Sequence, residues 1–258
     1  MTSLIAKLNV TFGSVFLIFL VSCASTDVEE SKFVSQDRIY QNYKVEIDEN
    51  RQSSRASATF RFGGSTGTTL NLSDESSVSL NEAKLNGKQE MFSGMVYSKS
   101  NLQSSDNNYT FVFTDTENNT YTNTVAIQPL TFGKSPKVID KSGSYKIYWD
   151  GSPLGPNEKI ELTLKHGKDQ FSTILWTSTM QGTNSIEISS DKLKNANPGL
   201  GNLQLRRVVT PPLQEGTELS GKITGIYNST VIPVTIEGPA LQQTPAQKIT
   251  VEDQPIAE

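Results

Sequence analysis

Thiol and imidazole chemistry have almost nothing to work with in this 258-residue chain, which holds one cysteine, Cys23, and one histidine, His166. A lone cysteine excludes any disulfide within the chain, so its stability must come from apolar burial, which a chain of this size can supply. A lone histidine leaves zinc without the several His and Cys ligands it usually draws on, and a Ser-His relay would need that single base positioned by a third group. His166 stands at the predicted end of a strand beside Gly167 and Lys168 and is expected at the surface. An excess of basic charge is also missing: 23 Lys and Arg face 27 Asp and Glu. Nucleic-acid binding, which needs a clustered basic footprint, is therefore set aside. Long apolar runs are absent as well. The longest, Val10 to Val21, has twelve residues, short of the roughly 20 that a membrane-spanning helix needs. Helical periodicity is nearly absent throughout.

What is present begins at the N-terminus. Lys7 precedes the apolar run, and Leu20-Val21-Ser22-Cys23 follows it. A basic start, an apolar stretch of about 7–15 residues and a small-residue cleavage site make a signal peptide. The Leu-aliphatic-small-Cys sequence resembles the lipobox of bacterial lipoproteins. That resemblance implies that residues 1–22 are removed and that Cys23 carries the lipid, palmitate or a similar acyl chain. The mature chain would then be held at a membrane without spanning it, since two or three acyl chains suffice for stable anchoring. Ala24 in place of Asp implies the outer membrane, by similarity to enteric lipoprotein sorting.

Downstream, β-branched and aromatic residues alternate with polar ones in short runs between turn signals, which is the pattern of an all-β sandwich. Residues 23–36 are polar and acidic and are expected to form a flexible tether after the lipidated cysteine. A first β-sandwich domain is placed at 37–131 and a second at 134–238, each with about seven strands. In the first, Tyr43, Val45 and Ile47 alternate with Lys44, Glu46 and Asp48. Asn86-Gly87 reads as a two-residue hairpin turn. In the second, Ile160, Leu162 and Leu164 alternate with Glu161, Thr163 and Lys165, and Ser190 to Lys194 reads as one helical turn. Three short matches in the same order point to a tandem duplication: Tyr43–Asp48 with Tyr145–Asp150, Thr59–Gly63 with Thr163–Gly167, and Asn119-Thr120 with Asn228-Ser229. The strand pattern resembles the immunoglobulin-like sandwiches of bacterial surface proteins, without their Cys…Trp…Cys signature. Residues 239–258, rich in Pro, Gln and acids, are expected to be a disordered tail.

No constellation for catalysis emerges. Ser189 and Lys192 have the Ser-x-x-Lys spacing, but the partner motifs that would complete it are not in place. The Asp and Asn clusters near 48–50, 104–108 and 115–119 suit turn chemistry as well as calcium. No metal, no cofactor and no catalytic residue is assigned. Trp149 shares the face of Tyr145 and Ile147 and belongs to a core. The facing of Trp176 is ambiguous between core and surface, and it is the one candidate platform for a sugar ring. The expectation is thus a non-catalytic binding or structural module on a lipid anchor, engaging a protein partner in the envelope. The alternative is a carbohydrate-binding lipoprotein that uses Trp176.

Overall fold

The structure, a computed structural model, describes residues 27–73, 75–103, 106–168 and 170–239. It is almost entirely β. The N-terminal half contributes β1 (Val28–Glu30), β2 (Ile39–Asp48), β3 (Ser53–Phe62), β4 (Thr68–Asn71), β5 (Ser77–Leu80), β6 (Ala83–Lys84), β7 (Asn86–Glu90), β8 (Gly94–Ser100), β9 (Asn108–Thr114) and β10 (Thr120–Ala126). The C-terminal half contributes β11 (Leu130–Phe132), β12 (Val138–Asp140), β13 (Tyr145–Gly151), β14 (Glu158–His166), β15 (Ser172–Ser178), β16 (Ser185–Ile188), the single turn of helix α1 (Ser190–Leu193), β17 (Gly199–Val209), β18 (Gly221–Asn228) and β19 (Ile232–Glu237).

The alternation in the sequence is the alternation in space. Tyr43 and Val45 of β2 are buried, while Lys44 between them is exposed. The same parity runs through β14, where Ile160, Leu162 and Leu164 are buried. A large sheet runs in the order β1-β4-β3-β2-β18-β17-β14-β15, with β8 and β7 branching from β3, and β19 and β12 from β17. One face of it is covered by two smaller sheets, β10-β9-β5-β6 and β11-β13-β16. Rings carry the first contact: Tyr43 stacks on Phe111 at 4.7 Å between centroids, and Phe60 meets Phe113 at 4.3 Å. Such pairs add to the stability gained from burial alone. The sandwich-like, all-β expectation holds.

The halves on either side of residues 131–134 are joined rather than merely strung together. β2 runs parallel to β18, Gln41 to Asp48 against Gly221 to Asn228, so one sheet crosses both halves. Gly221 permits the approach, since a Cβ there would lie 2.0 Å from the Gln41 carbonyl oxygen. Thr217 Oγ1 donates to the Ile39 carbonyl at 2.6 Å beside it.

Three expectations need correction. Residues 27–36 are not a loose tether: β1 pairs in parallel with Thr69–Asn71, and Thr69 Oγ1 donates to the Asp27 carbonyl at 2.8 Å. Ser31 is buried against Ser76 Oγ at 2.8 Å, and Gln36 Nε2 donates to the Ser31 and Val34 carbonyls. Hydroxyls and an amide hold this segment, and apolar periodicity does not report them. Asn86-Gly87 is not the hairpin turn but part of β7. The two-residue turn lies at Asn81-Glu82, where both φ are positive, +44° and +67°, between Leu80 and its partner Ala83. Gly87 is needed for another reason, because a Cβ there would meet the Tyr97 ring at 2.7 Å. The first matched pair of the expected duplication, Tyr43–Asp48 and Tyr145–Asp150, does not occupy matching places either. β2 pairs with β3 and β18 in the large sheet, whereas β13 lies between β11 and β16 in a small one. Of the expected tail, only Pro239 is described, and its carbonyl accepts from Lys141 Nζ at 2.9 Å.

Candidate functional site

The face of the large sheet turned away from the two smaller sheets lies open among the described residues. Strand register assembles it. Lys159 is opposite Val208, Val208 opposite Ile226, Ile226 opposite Glu46, and Glu46 opposite Arg55. A neighbouring row runs Glu161, Arg206, Asn228, Asp48. Residues two apart along a strand share a face, so these rows lie side by side on one surface.

Three depressions follow one another across it. The first, about 540 Å³, is lined by Phe171, Gln170, Lys165, Asn202, Gln204 and Asn50, among others. The second, about 380 Å³, holds Lys159, Glu161, Arg206, Lys222, Thr224 and Lys44. The third, about 480 Å³, shares Asn42 and Lys44 with the second and reaches Arg55, Arg61, Glu90 and Phe92. Phe171 at one end is 89% exposed and Phe92 at the other is 85% exposed.

The electrostatics of this face are uneven. The linings contain seven basic side chains against three carboxylates, on a chain whose formal net charge is −4. Glu161 serves two cations, Lys159 Nζ at 2.6 Å and Arg206 Nη1 at 3.3 Å. Glu46 accepts from Lys44 Nζ at 2.6 Å and Asn228 Nδ2 at 3.2 Å. Burial pushes the Glu46 carboxyl up, but Lys44, helped by Asn228 and Arg206, outweighs it and holds the group below the ordinary carboxylate range. Arg55 Nη2 binds Glu90 at 2.8 Å. Lys165, Lys222 and Arg61 have no carboxylate partner among the described residues.

The residues singled out in the sequence lie elsewhere. Cys23 and its lipobox fall outside the described residues. Trp176 is 4% exposed, and its ring belongs to the core with Trp149, so it is no platform. Five positions earlier, Phe171 presents the exposed ring. An aromatic just ahead of a strand, with no alternation to assign its face, gave no signal for this in the sequence. His166 is buried rather than at the surface, because it is the last inward position of β14. Its Nδ1 accepts the Asn197 N–H at 2.9 Å. Lys192 does not face Ser189 as a base, since its Nζ donates to the Leu175 carbonyl at 2.7 Å. In the 115–119 loop the Asp115 carboxylate accepts the N–H groups of Glu117 and Asn119, both at 2.9 Å, and Asn119 Nδ2 at 3.0 Å. That is turn chemistry.

No family model matches the chain, and no curated protein matches it. Among solved structures it is similar to the tetra-tandem repeat in the extending region of a large adhesion protein, with 12% identity, 76% of this chain covered and a TM-score of 0.27. It is also similar to a structure of a 1.5-MDa bacterial ice-binding adhesin, with 14% identity, 77% covered and a TM-score of 0.22. A third is SGBP-B of the Bacteroides ovatus mixed-linkage glucan utilization locus, in complex with a mixed-linkage heptasaccharide, with 10% identity, 78% covered and a TM-score of 0.25. The chain spans 49%, 64% and 60% of those three chains. Likeness this distant carries no functional argument.

Proposed function

We propose that this chain is a non-catalytic binding module, held at the outer membrane by lipid on Cys23, that uses the open face of its large sheet. The observation that carries the reading is the continuity of that face across both halves through β2 and β18. A surface built on paired strands is held more firmly than one built on loops, and rigid elements make better binding scaffolds. Basic groups, amides and exposed rings are displayed there, while the opposite face is spent on the core.

The β15 edge supports a second reading, strand addition by a protein partner, because β15 ends the sheet and Leu175 is partly exposed. Lys192 weakens that reading. It occupies the Leu175 carbonyl, and lysines at sheet edges discourage added strands.

Two measurements test the proposal. Palmitate labelling should mark the wild-type protein and leave Cys23→Ser unlabelled in the soluble fraction. Label retained by the variant would remove the anchor from the reading. Lysine footprinting with native envelope fragments should protect Lys44, Lys159 and Lys222 while Lys84 and Lys146 stay reactive. Protection confined to Lys192 would favour the β15 edge instead.

A further inference from the structure

We infer that the ligand of the open face is an anionic polysaccharide, one bearing uronate or sulfate groups, lying across the strands from Phe171 to Phe92. The inference rests on the reading of that face as the binding surface and assigns its ligand class.

Charge is the first argument. The whole chain is acidic, yet the linings of the three depressions carry an excess of four positive charges. Segregation of that kind creates a local field that attracts anions. The excess lies inside the depressions, where Glu161 is shared by two cations and Lys222 and Lys165 have no carboxylate partner among the described residues. The spread of the cations suits a polymer with repeated charges. From β3 to β14 there are four strand spacings, about 19 Å at roughly 4.8 Å each.

The groups between the cations are the second argument. Hydroxyls and amides come from Ser57, Thr59, Asn42, Thr224, Thr163 and Gln204, while Val208 and Ile226, which share the middle depression, are only 8% and 4% exposed and present little apolar surface. A protein partner is usually met by a patch with an apolar, aromatic centre. Here the order is reversed, with the rings at the two ends and the hydrogen-bonding groups in the middle. Single-stranded nucleic acid is met by rings on which successive bases stack, and this track carries rings only at its ends. A sugar chain needs what is present: donors and acceptors for hydroxyls, cations for carboxylate or sulfate, and an exposed ring under an apolar sugar face.

The test uses the full lipidated protein in detergent micelles, titrated calorimetrically. The probes are an oligogalacturonate and a dextran sulfate, their neutral counterparts (the methyl ester and dextran), a polyglutamate and an oligothymidylate of matched charge. At least one anionic glycan should bind, and its neutral counterpart should bind about tenfold or more weakly. The affinity should fall as salt is raised from about 0.1 M to about 1 M, where screening shortens from roughly 10 Å to roughly 3 Å. The Lys159→Gln, Lys222→Gln double variant should lose about tenfold, and Phe171→Ser with Phe92→Ser should weaken binding with the salt dependence unchanged. Equal binding of a neutral glycan, or tighter binding of polyglutamate or oligothymidylate, would overturn the ligand class and leave the face as a binding surface. If none of the probes binds, the anionic glycan is refuted. Whether the face itself survives is then read from the lysine footprint in native envelopes.

Discussion

Asn123 and Glu215, 92 residues apart, hold the two halves of the molecule together at a second place besides the shared sheet. Asn123 Oδ1 accepts the N–H of Gln214 at 2.9 Å and of Glu215 at 3.2 Å, and its Nδ2 donates to the Glu215 carbonyl at 2.8 Å. The surrounding contacts continue the pattern. Thr124 N–H donates to Gln214 Oε1 at 2.9 Å, and Gln214 Nε2 donates to the Thr124 carbonyl at 3.0 Å. Side-chain amides thus stand in for a neighbouring strand along the free edge of β10, an edge that would otherwise invite pairing with another chain. Asn123 is completely buried. Asn123→Ala would remove three hydrogen bonds whose partners sit on the exposed Gln214 and Glu215 and can turn to water, so each counts at a net worth of about 0.5–1.5 kcal/mol. A loss of about 2–4 kcal/mol is expected in urea unfolding, together with a greater tendency to self-associate through β10. A loss under about 0.5 kcal/mol, as for an ordinary surface position, would show that the clasp does not bind the halves.

Arg207 makes the second prediction. It is 1% exposed, and burial lowers its guanidinium pKa against the pull of Glu158. Nη2 donates to the Ser152 carbonyl and Nη1 to the Gln128 carbonyl in the segment between β10 and β11. Nε lies 3.9 Å from Glu158 Oε2, which also accepts the Gly155 N–H at 2.7 Å. Removing one partner of a buried pair strands the other charge. Arg207→Ala should therefore cost about 3–5 kcal/mol. Adding Glu158→Gln to Arg207→Met should recover stability relative to Arg207→Met alone, with a coupling of about 0.5–3 kcal/mol in a double-mutant cycle. Strict additivity would deny the pair any role.

The strand periods, and hence the sheets' inner faces, were legible because one residue in two is buried in β2, β3, β14 and β17. Pairing was not legible. Nothing in Gln41–Asp48 names Gly221–Asn228 as its neighbour, since a parallel pairing across so long a separation is set by the whole fold. Asn86-Gly87 misled because its glycine serves close packing against Tyr97 within β7, while Asn81-Glu82 makes the turn with a glutamate at positive φ. The open face was visible only in pieces. Lys44, Arg55, Lys159, Arg206 and Lys222 are scattered along the chain as ordinary outward positions, and only the β2–β18 junction turns them into one surface.

His166 predicts a pH dependence of stability. Burial lowers its pKa below the ordinary histidine value, and the positive charge of Lys141 lowers it further. The hydrogen bond from Asn197 requires an unprotonated Nδ1. The unfolded chain therefore binds the proton more readily than the folded one. Above about pH 6.5 both states are neutral at this position and stability is unaffected. Below it the unfolded state takes up the proton first, so stability falls as pH drops toward the folded pKa. Urea midpoints should decline from about pH 7 to about pH 5 in the wild type, and the decline should be smaller in His166→Gln. Equal slopes would place the pH response elsewhere.

The two aromatic positions near β15 separate core from surface directly. Trp176 is packed in the core, and Phe171 projects outward. Trp176→Ala should cost about 3–5 kcal/mol, the range for a buried large ring. Phe171→Ala should stay within about 0.5 kcal/mol, as surface changes do. A third variant sharpens the contrast. The indole N–H of Trp176 is buried with no hydrogen-bond partner among the described residues. Trp176→Phe removes that unmet donor while keeping most of the ring, so its cost should be far below that of alanine, about 1 kcal/mol or less. Chemical denaturation of the three variants checks all of this together. A destabilised Phe171→Ala beside an unaffected Trp176→Ala would exchange their roles and move the end of the track from Phe171 to Trp176.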